Sequence, residues 1–206
     1  MNEYLEDVLK ALSNVSPDYY EWIDAVKHKK ASVERVFCYE FYHQFRMIME
    51  GIDVNCADKT NNEKYNHLLF NAEIGKGGFD EHKTIYPDFV LHMGQNMFES
   101  QKLAIEVKTS ARLNAKDFNK DIEKLFNFLS ADTERKYEFG VFICINKPYE
   151  KLANFVRNKI NEDLLSKITS KNKLNKIYCL STYIEEGDKK KVVVSYSNLF
   201  NMLNNV

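Results

Sequence analysis

The chain has 206 residues, of which 44% are hydrophobic and 29% charged, and its formal net charge is −1. Its 3 Pro and 7 Gly are too few for a collagen-like or disordered chain. No apolar run approaches the roughly 20 residues that a membrane-spanning helix needs. The length suits a single domain over residues 1–206, with enough chain to bury a sizeable core.

The four cysteines favour a reducing environment. Cys38, Cys56, Cys144 and Cys179 lie far apart and lack the paired spacing of a zinc site or a disulfide framework. The first segment, MNEYLEDVLKAL, is acidic and amphipathic, unlike the positively charged leader of a signal or transit peptide. These features predict a cytoplasmic protein with no membrane partner.

The small net charge hides an asymmetry along the chain. Residues 1–146 hold 18 Lys/Arg and 24 Asp/Glu, a net charge of −6, whereas residues 147–206 hold 11 and 6, a net charge of +5. A basic C-terminal third beside an acidic remainder is compatible with a surface for a polyanionic partner. A solvated lysine-rich face gives the same pattern.

Hydrophobic periodicity predicts three helices in the first third of the chain. MNEYLEDVLKAL has apolar residues at helical spacing, and Ser16-Pro17-Asp18 resembles the start of a second helix that runs to about residue 29. The third predicted helix spans about 32–50 and ends at Gly51.

The middle of the chain changes to strand-like segments. Residues 68–74, 85–92 and 102–109 predict three consecutive strands in an antiparallel meander. The later predicted elements are a helix at 115–130, a buried strand at 137–145, a helix at 149–165 and strands at 176–181 and 191–196. This order predicts an α/β fold in which a mixed β-sheet is flanked by helices, with extra N-terminal helices.

Two charged residues interrupt the apolar pattern of the third predicted strand. Glu106 and Lys108 are two residues apart, so their side chains leave the same face of the strand, while Leu103, Ile105 and Val107 point to the other face. A carboxylate and an ammonium on a buried strand are costly unless they have partners or a task.

A second carboxylate precedes this pair. Asp88 follows Pro87 near the start of the preceding strand, where a proline is tolerated. A hairpin would bring Asp88 beside Glu106. Two carboxylates that close repel each other, and a bound divalent cation or a raised pKa relieves the repulsion.

Pro87-Asp88 followed by Glu106-Val107-Lys108, on adjacent strands between two helices, resembles the PD-(D/E)xK nuclease superfamily, also called restriction-endonuclease-like. The resemblance covers about residues 32–146 and implies a helix–meander–helix–strand core. It implies that Asp88 and Glu106 hold Mg²⁺, or Mn²⁺ in its place, and that the Val107 carbonyl adds a ligand. Lys108 would then orient or activate the attacking water.

A glutamate from the helix before the meander often completes the metal site in this superfamily. The candidates Glu34 and Glu40 are about 120° apart around the helix, so both cannot face one metal. Glu40, at the border of the apolar stripe, is favoured. Glu73 is a third candidate, because a hairpin turn after it would bring it near Asp88.

The expected function is that of a metal-dependent endonuclease-type hydrolase, with DNA as the expected substrate and RNA as the alternative. The basic C-terminal region would bind the phosphate backbone, and a homodimer would supply two sites for double-strand cleavage. One alternative is a non-catalytic nucleic-acid-binding or assembly module with the same fold. A second is a structural subunit whose aromatic residues, 13% of the chain, form a partner interface. A third is a surface hairpin whose Asp, Glu and Lys residues only confer solubility.

Overall fold

The computed structural model describes residues 2–24, 29–31, 34–52, 62–72, 87–93, 101–131, 136–187 and 190–204. Its strands are β1 (Trp22–Asp24), β2 (Lys29–Ala31), β3 (Leu68–Ala72), β4 (Phe89–Met93), β5 (Gln101–Thr109), β6 (Tyr137–Ile145), β7 (Ile177–Glu185) and β8 (Lys191–Asn198). Its helices are α1 (Glu3–Asn14), α2 (Glu34–Met49), α3 (Ala115–Ser130), α4 (Tyr149–Lys159), α5 (Glu162–Ser170) and α6 (Leu199–Asn204).

The main sheet is mixed and has six strands in the order β3-β4-β5-β6-β7-β8. β3, β4 and β5 form the predicted antiparallel meander, β5, β6 and β7 are parallel, and β8 returns antiparallel. Each parallel pair requires a crossover, which α3 provides between β5 and β6, and α4 with α5 between β6 and β7. β1 and β2 form a separate antiparallel pair. The prediction of an α/β fold with a mixed sheet flanked by helices is confirmed.

The strand periodicity of β5 divides the core into two layers. Leu103, Ile105 and Val107 pack with buried residues of α1 and α2 on one face of the sheet. Ala104 belongs to the cluster on the opposite face, which contains the buried residues of α3, α4, α5 and α6. Glu106 follows the same alternation, so it leaves β5 on the α3 side.

Helix α3 lies close against β6. Asn114 caps the helix by accepting a hydrogen bond from the Asp117 N–H at 2.9 Å. A Cβ atom added at Gly140 in β6 would lie 3.1 Å from Leu125 Cβ, tighter than most packed contacts. Glycine at position 140 therefore lets α3 approach the sheet closely, which brings the polar side of the helix near the end of β5.

Two of the predicted helices are wrong in part. The signal at Ser16-Pro17-Asp18 supports only a short 3-10 helix, Pro17–Tyr19, and the chain then enters β1 instead of continuing as a helix to residue 29. The helix predicted at 149–165 is divided into α4 and α5, because the Asn161 side chain accepts a hydrogen bond from the Leu164 N–H at 3.0 Å and starts a new helix. Helix α6 was not predicted.

The cysteines that the structure describes are free thiols. Cys144 and Cys179 are buried and Cys38 is half-buried, whereas Cys56 lies outside the described residues. Burial raises the pKa of Cys144 and of Cys179 to about 12, so both thiols stay protonated at neutral pH. In the described part of the chain, no helix combines the length and the apolar character that crossing a membrane requires.

Candidate active site

The pairing of β4 with β5 brings the two predicted carboxylates together. Phe89 lies opposite Ile105 and Val90 opposite Ala104, so the register sets Asp88 beside Glu106 at the point where β4 begins. Asp88 Oδ2 accepts a hydrogen bond from the Val107 N–H at 2.7 Å, which fixes this carboxylate against β5. The antiparallel pairing of β4 with β5 therefore brings Asp88 and Glu106 together, as expected from the sequence.

Beyond the part of β5 that pairs with β4, two of its main-chain N–H groups donate hydrogen bonds to carboxylates. Asp88 accepts from Val107, and Glu34 Oε2 accepts from the Thr109 N–H at 3.2 Å. The N–H and C=O of one strand residue point to the same edge of the strand. The Val107 carbonyl, the predicted main-chain ligand, therefore faces the edge on which Asp88 lies.

The helix carboxylate that reaches β5 is Glu34 and not Glu40. Glu34 is the first residue of α2, and it meets Thr109 where β5 ends. Glu40 accepts a hydrogen bond from Gln44 of the same helix at 2.6 Å. Six residues of helix carry the chain about 9 Å along its axis, away from the end that meets β5. The sequence favours Glu40 because of its angular position around the helix axis. The contact with β5 depends instead on the position along the axis, which brings Glu34 to Thr109.

Two lysines and a buried aspartate complete the charged cluster. Lys124 Nζ lies 2.6 Å from Glu106 Oε2 and 3.0 Å from Asp121 Oδ1. Lys108 Nζ lies 3.4 Å from Asp121 Oδ2. The side chains of Glu106 and Asp121 are only 1% and 4% exposed, whereas both lysines remain about one-fifth exposed. Asp121 thus contacts the lysine of the predicted motif and the lysine of α3 at once.

Sequence analysis missed Asp121 because it lies within the apolar stripe of α3, beside Ile122 and Leu125. The available signal was that an acidic residue at such a position must be buried and therefore needs cationic partners. The remaining candidate, Glu73, lies outside the described residues.

Burial and mutual repulsion raise the pKa values of the carboxyl groups. The pKa of Glu106 is raised to about 8, chiefly by burial and then by the Asp88 carboxylate, although Lys124 acts in the opposite direction. Burial also raises the pKa of Asp88, while the hydrogen bond from Val107 and the charge of Lys108 partly offset it.

The nearby acids raise the pKa values of Lys108 and Lys124. Burial lowers the pKa of Lys108, but the charges of Asp121, Glu34 and Asp88 outweigh this effect and the net shift is upward. The pKa of Lys124 is likewise raised overall, because Glu106 and Asp121 outweigh its burial. Both lysines therefore remain cationic at neutral pH.

The donor set fits a hard divalent cation in its chemistry. Asp88, Glu106 and the Val107 carbonyl supply only oxygen atoms, which Mg²⁺ and Mn²⁺ prefer. Glu106 Oε1 is buried and has no hydrogen-bond partner among the described residues. The same residues contain no group of three or more His, Cys, Asp or Glu side chains arranged to hold a metal. A cation here would therefore rely on two carboxylates and a carbonyl, and would share Glu106 with Lys124.

Comparisons with protein-family models, with curated proteins and with solved structures give no match to this chain. The functional interpretation therefore depends on the geometry and chemistry of the residues described above.

Proposed function

We propose that this protein is a Mg²⁺-dependent nuclease that hydrolyses phosphodiester bonds, with DNA as its substrate. The observation that carries this proposal is the burial of the Glu106 side chain and its position beside a second carboxylate. Its side chain is 1% exposed, it lies beside a second carboxylate, and one of its oxygens has no partner among the described residues. Burying such a group is costly unless it is paired or holds a ligand; Lys124 contacts Oε2, and Oε1 is left for a ligand.

The order of the elements supports a restriction-endonuclease-like core within this fold. Helix α2, the meander β3-β4-β5, helix α3 and strand β6 follow one another in the helix–meander–helix–strand order that the resemblance implies. Asp88 immediately precedes β4, and Glu106 and Lys108 lie on the adjacent strand β5, an arrangement compatible with that core.

The side chains of the site suit phosphodiester hydrolysis. Asp88, Glu106 and the Val107 carbonyl would hold the cation, which supplies Lewis acidity and a more acidic water when it is bound. Lys108 remains protonated, and its ammonium offsets the negative charge that develops on the phosphate in a partly dehydrated cleft. Asp121 contacts Lys108 and limits where its ammonium can lie.

The test is cleavage of a panel of supercoiled, linear and single-stranded DNA and of RNA, with Mg²⁺ and with EDTA. We expect metal-dependent cleavage that falls by at least about a hundredfold in Asp88→Asn and in Lys108→Met. Lys102→Met is the matched control, because Lys102 lies on the same strand but pairs with Glu138. Activity that survives both Asp88→Asn and Lys108→Met would show that this site is not the catalytic centre.

One observation favours a second candidate, a non-catalytic nucleic-acid-binding module. The described residues form no three-side-chain metal site, and Lys124 already contacts one oxygen of Glu106. This alternative predicts salt-sensitive binding of nucleic acid without turnover in any divalent cation. The cleavage panel, together with a binding measurement in EDTA, separates the two functions.

A further inference from the structure

A groove lined by lysines runs along the flank of α3. It has a volume of about 640 Å³ and lies between α3 and the junction of α4 with α5. Its lysines are Lys116 and Lys120 from α3, Lys159 from the end of α4 and Lys167 from α5.

The groove has an excess of positive charge. All four lysines are exposed, and none has an ion-pair partner within the described part of the chain. The acidic residues Glu123 and Asp163 also line the groove, so its formal charge is positive by two. A concave, net cationic surface concentrates a polyanion from solution.

The side chain of Asn119 fixes the two walls of the groove relative to each other. Asn119 Nδ2 donates a hydrogen bond to the Lys159 carbonyl at 2.7 Å, and its Oδ1 accepts one from the Asn161 N–H at 2.7 Å. These bonds join α3 to the point where α4 ends and α5 begins. The spacing between the lysines of α3 and those of the opposite wall is therefore set by the fold.

The groove and the charged cluster of the candidate site share helix α3. Lys116, Lys120 and Lys124 recur every four residues along α3, so their Cα atoms are about 6 Å apart along the helix axis. Lys124 is the residue that contacts Glu106. Two lysines of the groove, Lys116 and Lys120, thus lie on the same helix as the lysine that contacts the buried carboxylates.

We propose that this groove binds the phosphate backbone of the nucleic-acid strand that enters the site, and this inference rests on the proposed function. Lysines are flexible point charges that suit sequence-independent phosphate contacts. The inference also locates part of the basic surface expected from the C-terminal third, since Lys159 and Lys167 belong to it. The other two lysines come from α3.

The experiment compares two quadruple variants that remove the same charge. The groove variant is Lys116→Gln, Lys120→Gln, Lys159→Gln and Lys167→Gln. The control variant is Lys136→Gln, Lys171→Gln, Lys173→Gln and Lys176→Gln, which neutralises a second lysine cluster; burial and the charges of the other three lysines lower the pKa of Lys173. Urea unfolding of both variants verifies that each is folded.

Binding is measured by fluorescence anisotropy with labelled single-stranded and duplex DNA, in EDTA and over a range of NaCl concentrations. We expect the groove variant to lose at least tenfold in affinity and to reduce the slope of log K against log salt concentration by about 2 to 4, since each phosphate contact contributes about 0.7 to 0.9. The control variant is expected to change the affinity less than about threefold. An equal loss in both variants, or no loss in the groove variant, overturns the assignment.

The outcomes for the groove and for the proposed nuclease are distinguishable. Binding that depends on the groove without any metal-dependent cleavage supports the groove and rejects the nuclease. Cleavage that depends on Asp88, with unchanged DNA binding by the groove variant, supports the nuclease and rejects the groove. A labelled poly-glutamate peptide that binds through these lysines more tightly than DNA overturns the choice of nucleic acid as the partner.

Discussion

Lys124 Nζ lies 2.6 Å from Glu106 Oε2, so the most buried carboxylate of the candidate site already has a cationic partner from α3. Asp121 Oδ1 contacts the same ammonium at 3.0 Å. The lysine thus lies between two acids at a position where a divalent cation would neutralise Glu106. Lys124 and a metal ion are therefore expected to compete for this carboxylate.

Removing the Lys124 charge should strengthen metal binding. In Lys124→Met, a unit positive charge is lost within 3 Å of Glu106, and we expect Mn²⁺ to bind at least about tenfold more tightly. Isothermal titration calorimetry measures the affinity. Lys120→Met is the control, because Lys120 lies one turn earlier on α3, is exposed and, within the described part of the chain, forms no ion pair with Glu106 or Asp121. Equal or weaker Mn²⁺ binding in Lys124→Met contradicts the competition.

Glu34 and Glu40 provide a matched pair on one helix. Glu34→Gln should reduce the proposed nuclease activity by about tenfold or more, because it weakens the contact with the Thr109 N–H and removes a negative charge close to Asp88 and Lys108. Glu40→Gln should leave activity within about twofold. Single-turnover cleavage rates measure both. A larger effect at Glu40 would restore the choice made from the sequence.

The raised pKa of Glu106 predicts a pH dependence of stability. Between the ordinary glutamate value of 4.5 and about 8, the folded protein keeps a proton that the unfolded chain has released. The free energy of unfolding should therefore fall as the pH rises through this window, by at most about 1.4 kcal/mol per pH unit. The Glu106 contribution to this fall is expected to level off above about pH 8, where the folded protein also releases the proton.

Urea unfolding at pH 5, 6.5 and 8 in EDTA measures this dependence. Glu106→Gln cannot ionise, so the fall between pH 5 and pH 8 should be smaller in this variant than in the natural sequence. Glu138→Gln is the control, since Glu138 is a surface glutamate that pairs with Lys102. The same pH dependence in the Glu106→Gln variant and the natural sequence contradicts the assignment.

Asn119 should matter more for stability than an ordinary surface asparagine. Asn119→Ala removes the bonds to Lys159 and Asn161 that join α3 to the α4–α5 junction, and we expect a loss of about 1 to 2 kcal/mol. Asn158→Ala removes only bonds to Asn154 within α4 and should change stability by less than about 0.5 kcal/mol. Urea unfolding of both variants provides the comparison, and equal losses would contradict it.

The sequence predicts those elements whose pattern is long and periodic. Helix α3 and strand β6 have the predicted bounds, 115–130 and 137–145, since one has a sustained apolar stripe and the other is almost wholly apolar. The helix predicted to end at residue 29 depended on a local cap signal alone. That signal is satisfied by one short turn, so it does not determine how far the helix continues.

Some residues of the candidate site can be predicted from local sequence patterns, whereas others depend on how the helices pack on the sheet. Asp88, Glu106 and Lys108 could be grouped because strand alternation and a hairpin are local rules. The choice between Glu34 and Glu40 depended on where α2 lies over β5, which no local pattern contains. The burial of Asp121 depended on how closely α3 approaches the sheet, and the small size of Gly140 on the neighbouring strand permits that approach.

The two carboxylates that accept hydrogen bonds from the Val107 and Thr109 N–H groups of β5 come from other parts of the chain. Asp88 is 19 residues from Val107, and Glu34 is 75 residues from Thr109. Contacts across long loops form late in folding, because the loop must be closed before the contact can contribute. The full set of charged groups is therefore complete only when α2 is packed against β5. A nascent or partly unfolded chain, in which α2 is not yet packed on β5, would therefore lack the assembled charged cluster.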